Sequence, residues 1–317
     1  MDLAITPDDV RAAAGRIAPL ARRTPVMTSA GFDARAGTRV FFKCENLQRG
    51  GAFKIRGAAN LILGLPEAAL RAGVVAFSSG NHAQATAMAA KHVGAAATIV
   101  MPEDAPRSKM EATRGMGARI VTYNRLTGSR EELARDIQRE SGATLVPPFD
   151  HPKIMAGQGT AGMELLEEAG ALDALVTPLG GGGLLSGCAT IAKAMQPGIR
   201  VFGVEPETAN DGFLSVAAGR LVEVPHPETI ADGLRTPRLG EQTFPVIQKL
   251  VEQVVLVSDD ELRATAKFLL LRMKILVEPS GAAAAAAVLF GKLPKGIGRV
   301  GVVLSGGNVD FEELAKW

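Results

Sequence analysis

The chain has 317 residues, 47% of them hydrophobic and 21% charged, with 35 Lys plus Arg against 33 Asp plus Glu for a formal net charge of +2. That length suits about two domains, and the composition suits a globule with a sizeable core and excludes a disordered chain. The charge balance offers no basic face to duplex nucleic acid, and aromatics at 4% leave few platforms for single-stranded bases.

The chain opens on Met1 to Ala14, whose Asp2, Asp8 and Asp9 are unlike the basic start and apolar core of a secretory leader. Short apolar runs then alternate with helical patterns almost to the end, the signature of a parallel sheet with crossover helices. The predicted order begins with strand Arg39 to Lys43, helix Phe53 to Leu63, strand Val74 to Phe77, helix Asn81 to His92 and strand Ala97 to Met101. Helix Arg107 to Gly115, strand Arg119 to Thr122 and helix Ser129 to Arg139 follow. The second half gives strand Ala174 to Pro178, helix Gly183 to Met195, strand Ile199 to Val204, helix Asp259 to Leu271 and strand Arg299 to Leu304. These Val- and Ile-rich runs lack strict alternation, as expected of strands covered on both faces. Pro147-Pro148, followed by a fresh helical segment, marks a crossing between domains. The Ala282 to Ala287 run reads as a tightly packed helix, too short to cross a bilayer. Cys44 and Cys188 cannot build a disulfide framework, and no Cys/His metal spacing occurs. The chain is read as a cytoplasmic α/β globule with neither nucleic acid nor membrane as partner.

Glycine clusters directly follow three of the strands: Ser78-Ser79-Gly80-Asn81-His82, Gly180-Gly181-Gly182-Gly183 and Ser305-Gly306-Gly307-Asn308. Open α/β sheets bind ligands beyond the carboxyl ends of their strands, so these loops predict one site assembled from distant parts of the chain. Four glycines between strand and helix expose backbone N–H groups at a helix N-terminus and let a ligand come close, which suits a phosphate; a flexible hinge is the other reading. GxGxxG spacing is not distinctive within four consecutive glycines, and no Walker lysine follows, which disfavours nucleotide hydrolysis and a dinucleotide oxidoreductase. Lys54 stands in Gly50-Gly51-Ala52-Phe53-Lys54-Ile55-Arg56-Gly57. A lysine is ordinarily a solvated surface charge. The apolar and glycine neighbours suggest instead a partly buried ammonium, destabilised by desolvation and able to serve as a Schiff-base amine. A lysine and a phosphate cradle are together the minimum kit for pyridoxal phosphate.

The segments Lys43-Cys44-Glu45-Asn46-Leu47-Gln48 and Ala52-Phe53-Lys54-Ile55-Arg56-Gly57-Ala58 resemble the cofactor-lysine signature of fold-type II pyridoxal-phosphate enzymes, in the serine/threonine dehydratase and serine racemase family. The resemblance continues through Ser78 to Gln84, Ala156-Gly157-Gln158-Gly159-Thr160, Pro178 to Gly183 and Leu304 to Asn308, and so spans nearly the whole chain. It implies a tryptophan synthase β-like fold of two open, twisted, mostly parallel sheets flanked by helices. It also implies a large cofactor-binding domain of residues 1–48 and 150–317, a small domain of residues 49–149, and a homodimer. By the same resemblance Lys54 holds the cofactor aldehyde as an imine, Phe53 packs beside the ring and Asn81 bonds its phenolic oxygen. Gly180, Gly181, Gly182 and Gly183 grip the phosphate, Ser305 meets the pyridine nitrogen and Glu278 is an acid near the ring. A serine hydroxyl does not force protonation of that nitrogen, which favours expelling a β-substituent over transamination.

Ser79 matches the family's base on the face opposite Lys54; taken alone, a serine there also suits a helix N-cap. The loop of Ser78, Ser79, Gly80, Asn81 and His82 offers N–H and hydroxyl groups to a substrate carboxylate near a helix N-terminus, with His82 in a structural or carboxylate-loop role. Glu205, the Ala209 carbonyl and Asp211 resemble the divalent-cation loop of serine racemases, and all-oxygen ligation suits magnesium or calcium. Ala52, where many members have serine, and Thr229-Ile230-Ala231-Asp232-Gly233 point to the serine racemase and hydroxyaspartate dehydratase branch. Arg130 stands where racemase-type relatives place a cation for a second carboxylate, and equally where a helix-surface arginine would stand. The chain stops at Trp317, soon after the Ser305 loop, so feedback by isoleucine is not expected. The function this implies is dehydration of a small β-hydroxy-α-amino acid to a 2-oxo acid and ammonia, with threonine or serine leading and 3-hydroxyaspartate close behind. Serine racemase is an alternative, and an amino-acid-sensing binding protein on the same fold is another that the retention of Lys54 argues against.

Overall fold

The computed structural model describes residues 3–315 apart from Pro106, Arg125 and the side chains of Ser108 and Lys109; Asp2 of the acidic start and Trp317 lie outside the described residues. Among them, strands fall into two sheets. The larger contains β1 (Val26–Met27), β2 (Arg39–Cys44), β7 (Ala174–Pro178), β8 (Arg200–Pro206), β9 (Gln253–Val257) and β10 (Arg299–Leu304), in the order β1-β2-β10-β7-β8-β9. The smaller contains β3 (Val74–Phe77), β4 (Ala97–Pro102), β5 (Arg119–Tyr123) and β6 (Thr144–Leu145), in the order β5-β4-β3-β6. All pairings are parallel except β1 with β2.

The large sheet is covered on both faces, and the strands' two-residue period divides their side chains between two cores. Ala174, Val176, Phe202, Val204, Val300 and Val302 point into one, closed by the helix Pro279–Leu289. Leu175, Val201 and Val303 point into the other, against Leu165 and Leu184 of the helices Pro152–Ala169 and Gly183–Met195. The alanine run thus forms the expected helix, buried along its whole length against β7, β8, β9 and β10. Each Val or Leu so buried contributes about 1.5–3 kcal/mol.

The predicted strands and helices all form, with ends moved by up to three residues. Helix Asp259–Phe268 continues as a π-helical turn, Leu269–Met273. β1, β6 and β9 were not among the predicted strands, and the 18-residue helix Pro152–Ala169 had been only a fresh helical segment. Glycine disguises that helix. A Cβ on Gly159 would fall 2.6 Å from the Gly187 carbonyl oxygen, and one on Gly187 would fall 2.2 Å from that of Met155. The two helices meet backbone to backbone, and the spacing between their axes is set by the missing side chains. Cys44 and Cys188 are buried and unpaired. Among the described residues no helix is long and apolar enough to cross a membrane.

Candidate active site

The exits of β3, β7 and β10 line one cavity of about 390 Å³, within the ~300–1,000 Å³ range of small-molecule sites. Lys54 opens the helix Lys54–Ile62 beside it. The segment before Lys54 is fastened to the end of β10: Ala52 bridges Gly306, the Phe53 N–H donates to the Ser305 carbonyl (3.0 Å), and the Gly307 N–H donates to the Gly51 carbonyl (2.9 Å). The Lys54 ammonium donates to the Pro148 carbonyl at 2.8 Å and lies 5.1 Å from the centre of the Phe53 ring. Burial pushes its pKa down to about 8, because removing a cation from water favours the neutral amine.

The loop after β3 forms the opposite wall. Ser78 Oγ accepts from the Gly80 N–H at 3.2 Å. The cap of the helix Asn81–His92 is Gly80, without a side-chain bond, so the N-cap reading of Ser79 is corrected; Ser79 lines the cavity instead. His82 is buried and donates through Nε2 to the Val146 carbonyl (2.9 Å), while its Nδ1 has no partner. Burial, then the nearby Lys54 charge, push its pKa down to about 3, so it is a neutral brace between β3 and the segment after β6. Asn81 Nδ2 donates to Glu278 Oε1 at 2.7 Å. Glu278 stands at the cap position of the helix Pro279–Leu289 but makes no capping bond.

Between β7 and the helix Gly183–Met195, Gly182 adopts φ +94°, where a side chain is strained. A Cβ on Gly181 would fall 2.3 Å from the Phe149 ring, and one on Gly183 would fall 2.4 Å from Gln158 Oε1. Thr243 Oγ1 donates to the Gly181 carbonyl (2.8 Å) and Ser186 Oγ to that of Gly182 (2.7 Å). With those carbonyls engaged, the N–H groups at the helix start are left for an anion, as phosphate recognition requires. Buried Ser305, just past β10, completes the lining.

An amine and an anion cradle therefore face one cavity, and residues 17–306 match the family of pyridoxal-phosphate dependent enzymes. The chain belongs to that family. It is 50% identical over 307 residues to the L-threo-3-hydroxyaspartate ammonia-lyase of Saccharomyces cerevisiae, covering 97% of this chain and 94% of that protein. It is 49% identical over 312 residues to the serine racemase of Schizosaccharomyces pombe, covering 98% and 97%. Maize serine racemase superposes with a TM-score of 0.95 at 43% identity, covering 99% of this chain and 96% of that one. The two sheets are those of fold-type II, in the branch the sequence motifs indicated.

Elsewhere in this pyridoxal-phosphate dependent enzyme, Glu205 and Asp211 are fully buried together. Glu205 accepts from the N–H groups of Gly212 (2.9 Å) and Phe213 (2.8 Å), whereas neither Asp211 carboxylate oxygen has a hydrogen-bond partner. Burial, and then the charge of Asp211, raise the Glu205 pKa well above its ordinary value; burial raises that of Asp211 to about 7. Among the described residues no cluster of three or more His, Cys, Asp or Glu side chains occurs. Ala209, two residues before Asp211, is buried as well. Arg130 starts the helix Arg130–Ser141, exposed at the cavity with its guanidinium 5.6 Å from the Phe77 ring.

The sequence reading missed several groups. Pro148, Phe149, Gln158 and Asn308 line the cavity; the last two lay inside quoted motifs without a role. Beneath Lys54 the buried Arg56 forks onto Glu45 (2.7 and 2.8 Å) and onto Glu164 (2.8 and 2.7 Å), and Lys43 reaches Glu164 at 2.6 Å. Burial works to raise the Glu45 pKa, but Arg56 outweighs it and holds the carboxyl below its usual range. Burial likewise opposes the charge on Arg56, and Glu45 and Glu164 outweigh it.

Proposed function

We propose that this enzyme eliminates water from a β-hydroxy-α-amino acid to an enamine that takes water back as it loses ammonia, giving a 2-oxo acid, with 3-hydroxyaspartate its preferred substrate. The observation that carries the reading is that the Lys54 amine and the glycine loop of residues 180–183 line one cavity. The cofactor fits the residues present. A depressed amine suits covalent attachment of an aldehyde, and a turn free of side chains leading into the start of the helix Gly183–Met195 suits a phosphate. When bound, pyridoxal phosphate supplies the electron sink that acidifies the substrate α-carbon.

The chain's own groups do the rest. Lys54 holds the cofactor and, once released from it, takes the α-proton on its neutral Nζ. The helix start at residues 78–82 would orient the substrate α-carboxylate, Asn81 and Ser305 would hold the cofactor's ring oxygen and nitrogen, and Phe53 and Glu278, which line the same cavity, would flank it. The proton held on Lys54 would pass to the departing β-hydroxyl, which leaves as water; the enamine is released, and its hydrolysis yields the oxo acid and ammonia. Arg130, exposed at the cavity, supplies the cation that a second carboxylate requires, which favours 3-hydroxyaspartate over threonine or serine. Serine racemisation is a second reading at the same site, favoured by the Ser79 hydroxyl lining the cavity with Lys54.

The buried, unpartnered Asp211 carboxylate beside Glu205 supports a structural magnesium or calcium ion held with the Ala209 carbonyl. Exposed Leu47, Leu271 and Leu276 support a homodimer; Asn46, next to Leu47, donates through Nδ2 to the Leu276 carbonyl (3.0 Å). The separate four-stranded sheet supports a small domain of residues 49–149 against a large one of residues 1–48 and 150–317. Buried, unpaired Cys44 and Cys188 suit the reducing cytoplasm.

The deciding experiment incubates the holoenzyme with L- and D-serine, L-threonine and the 3-hydroxyaspartate stereoisomers, following oxo-acid formation and chirality. Oxo acid formed fastest from a hydroxyaspartate, and a visible absorption band abolished by Lys54→Ala, are expected. No band and no oxo acid from any of them would refute the reading.

A further inference from the structure

Asn308 lies in the loop after β10, and its amide ties two walls of the cavity together. Its Nδ2 donates to the carbonyl of Gly50 (2.6 Å), in the turn before Lys54, and to Asn81 Oδ1 (2.9 Å), in the loop after β3. A backbone carbonyl can only accept, so the Gly50 bond decides which end of the Asn308 amide carries the nitrogen. That choice propagates. The Asn81 oxygen is held toward Asn308, and the Asn81 nitrogen is turned to Glu278 Oε1, where it donates at 2.7 Å. The contact depends on the bare backbone of Gly51, since a Cβ there would fall 2.2 Å from Asn308 Oδ1. Among the described residues the second N–H of Asn81 has no partner, and Asn81 and Asn308 both line the cavity.

We propose that Asn308 is a positioning residue that locks the Asn81 amide with its nitrogen inward, making Asn81 a permanent donor to the cofactor's phenolic oxygen. This rests on the reading above, in which Asn81 meets that oxygen. A donor there stabilises the phenolate, and so favours the form of the lysine-bound cofactor with its proton on nitrogen, which absorbs in the visible. The form with the proton on the phenol absorbs in the near ultraviolet. Without Asn308, among the described residues only Glu278 holds the Asn81 amide, and an amide that turns over presents its oxygen, which accepts from the phenol and stabilises the near-ultraviolet form.

Absorption spectra of the holoenzyme at fixed pH provide the test. Asn308→Ala is expected to lower the ratio of the visible to the near-ultraviolet band by roughly fivefold, the size of one ordinary hydrogen bond. In an Asn81→Ala background the same substitution is expected to change the ratio no further. Asn308→Asp, which fits the same space but as a carboxylate cannot donate, is expected to lower it too. Far-ultraviolet circular dichroism identifies the folded variants. The wild-type ratio in either folded variant, or a further drop on top of Asn81→Ala, overturns the proposal. A wild-type protein without a visible band that Lys54→Ala abolishes overturns the underlying reading, and this proposal with it.

Discussion

The ammonium of Lys54 is held 2.8 Å from the carbonyl oxygen of Pro148, a residue 94 positions further along the chain. Gln158 Nε2 points to the same carbonyl, among the described residues no carboxylate pairs with the ammonium, and burial lowers its pKa from 10.5 to about 8. Only the neutral amine attacks an aldehyde. Uptake of pyridoxal phosphate by the apoprotein is therefore expected to accelerate with pH up to about 8 and then level off. A solvated lysine would keep gaining about tenfold per pH unit to ~10.4. Stopped-flow growth of the visible band across this range gives the answer, and a rate still climbing steeply above about pH 9 would contradict a depressed amine.

Two residues beyond Lys54, Arg56 joins Glu45 and Glu164 in a buried cluster that Lys43 balances as a second cation. Replacing Arg56 by Ala leaves two buried carboxylates facing one lysine, and is expected to cost about 3–5 kcal/mol in urea unfolding. Arg11→Ala, which removes an exposed pair with Asp8, is expected to change stability by less than about 0.5 kcal/mol. A loss from Arg56→Ala as small as that control would show that the cluster does not anchor the Lys54 helix.

That cluster shows where sequence reading stops. Lys43, Glu45 and Arg56 stand in quoted motifs, yet their partner Glu164 is more than a hundred residues away on a helix whose glycines hide it, and only folding brings them together. The strands were legible because β7, β8 and β10 are short apolar runs bounded by turn residues, and the three loops because glycine follows strand. β9 escaped because Val254 to Val257 continues the apolar pattern of the helix Thr243–Leu250, blurring the boundary. The Phe149 ring against Gly181 carried no local signal beyond the preceding prolines.

The Glu205–Asp211 pair yields a prediction in the absence of substrate. Two buried carboxylates, one of them without any hydrogen bond, destabilise each other when ionised, and the proposed cation between them would relieve this. Magnesium or calcium is expected to raise the melting temperature and a chelator to lower it, with about 2.7 kcal/mol gained at a hundredfold excess over Kd. Asp211→Asn relieves the repulsion and removes a ligand, so its melting temperature is expected to respond little to either cation. An equal response in wild type and variant would place the bound ion elsewhere.

The proposed preference for 3-hydroxyaspartate is tested at Arg130. It is exposed, so its charge alone contributes little to stability; its helix is started by Ser129, whose Oγ accepts from the Glu132 N–H at 3.3 Å, and does not need it. It lines the cavity beside the Phe77 ring, and in the proposed function its guanidinium would meet a carboxylate on the substrate's β-carbon. Threonine has a methyl group there and gains nothing from it. A charge-assisted bond of about 1.5–3 kcal/mol corresponds to roughly a ten- to hundredfold loss of kcat/KM for 3-hydroxyaspartate in Arg130→Ala, with threonine changed by less than about twofold. Parallel kinetics on the two substrates separate the cases: a selective loss assigns the second carboxylate to Arg130, while equal losses make Arg130 a surface residue and return the preference to the monocarboxylic hydroxy amino acids.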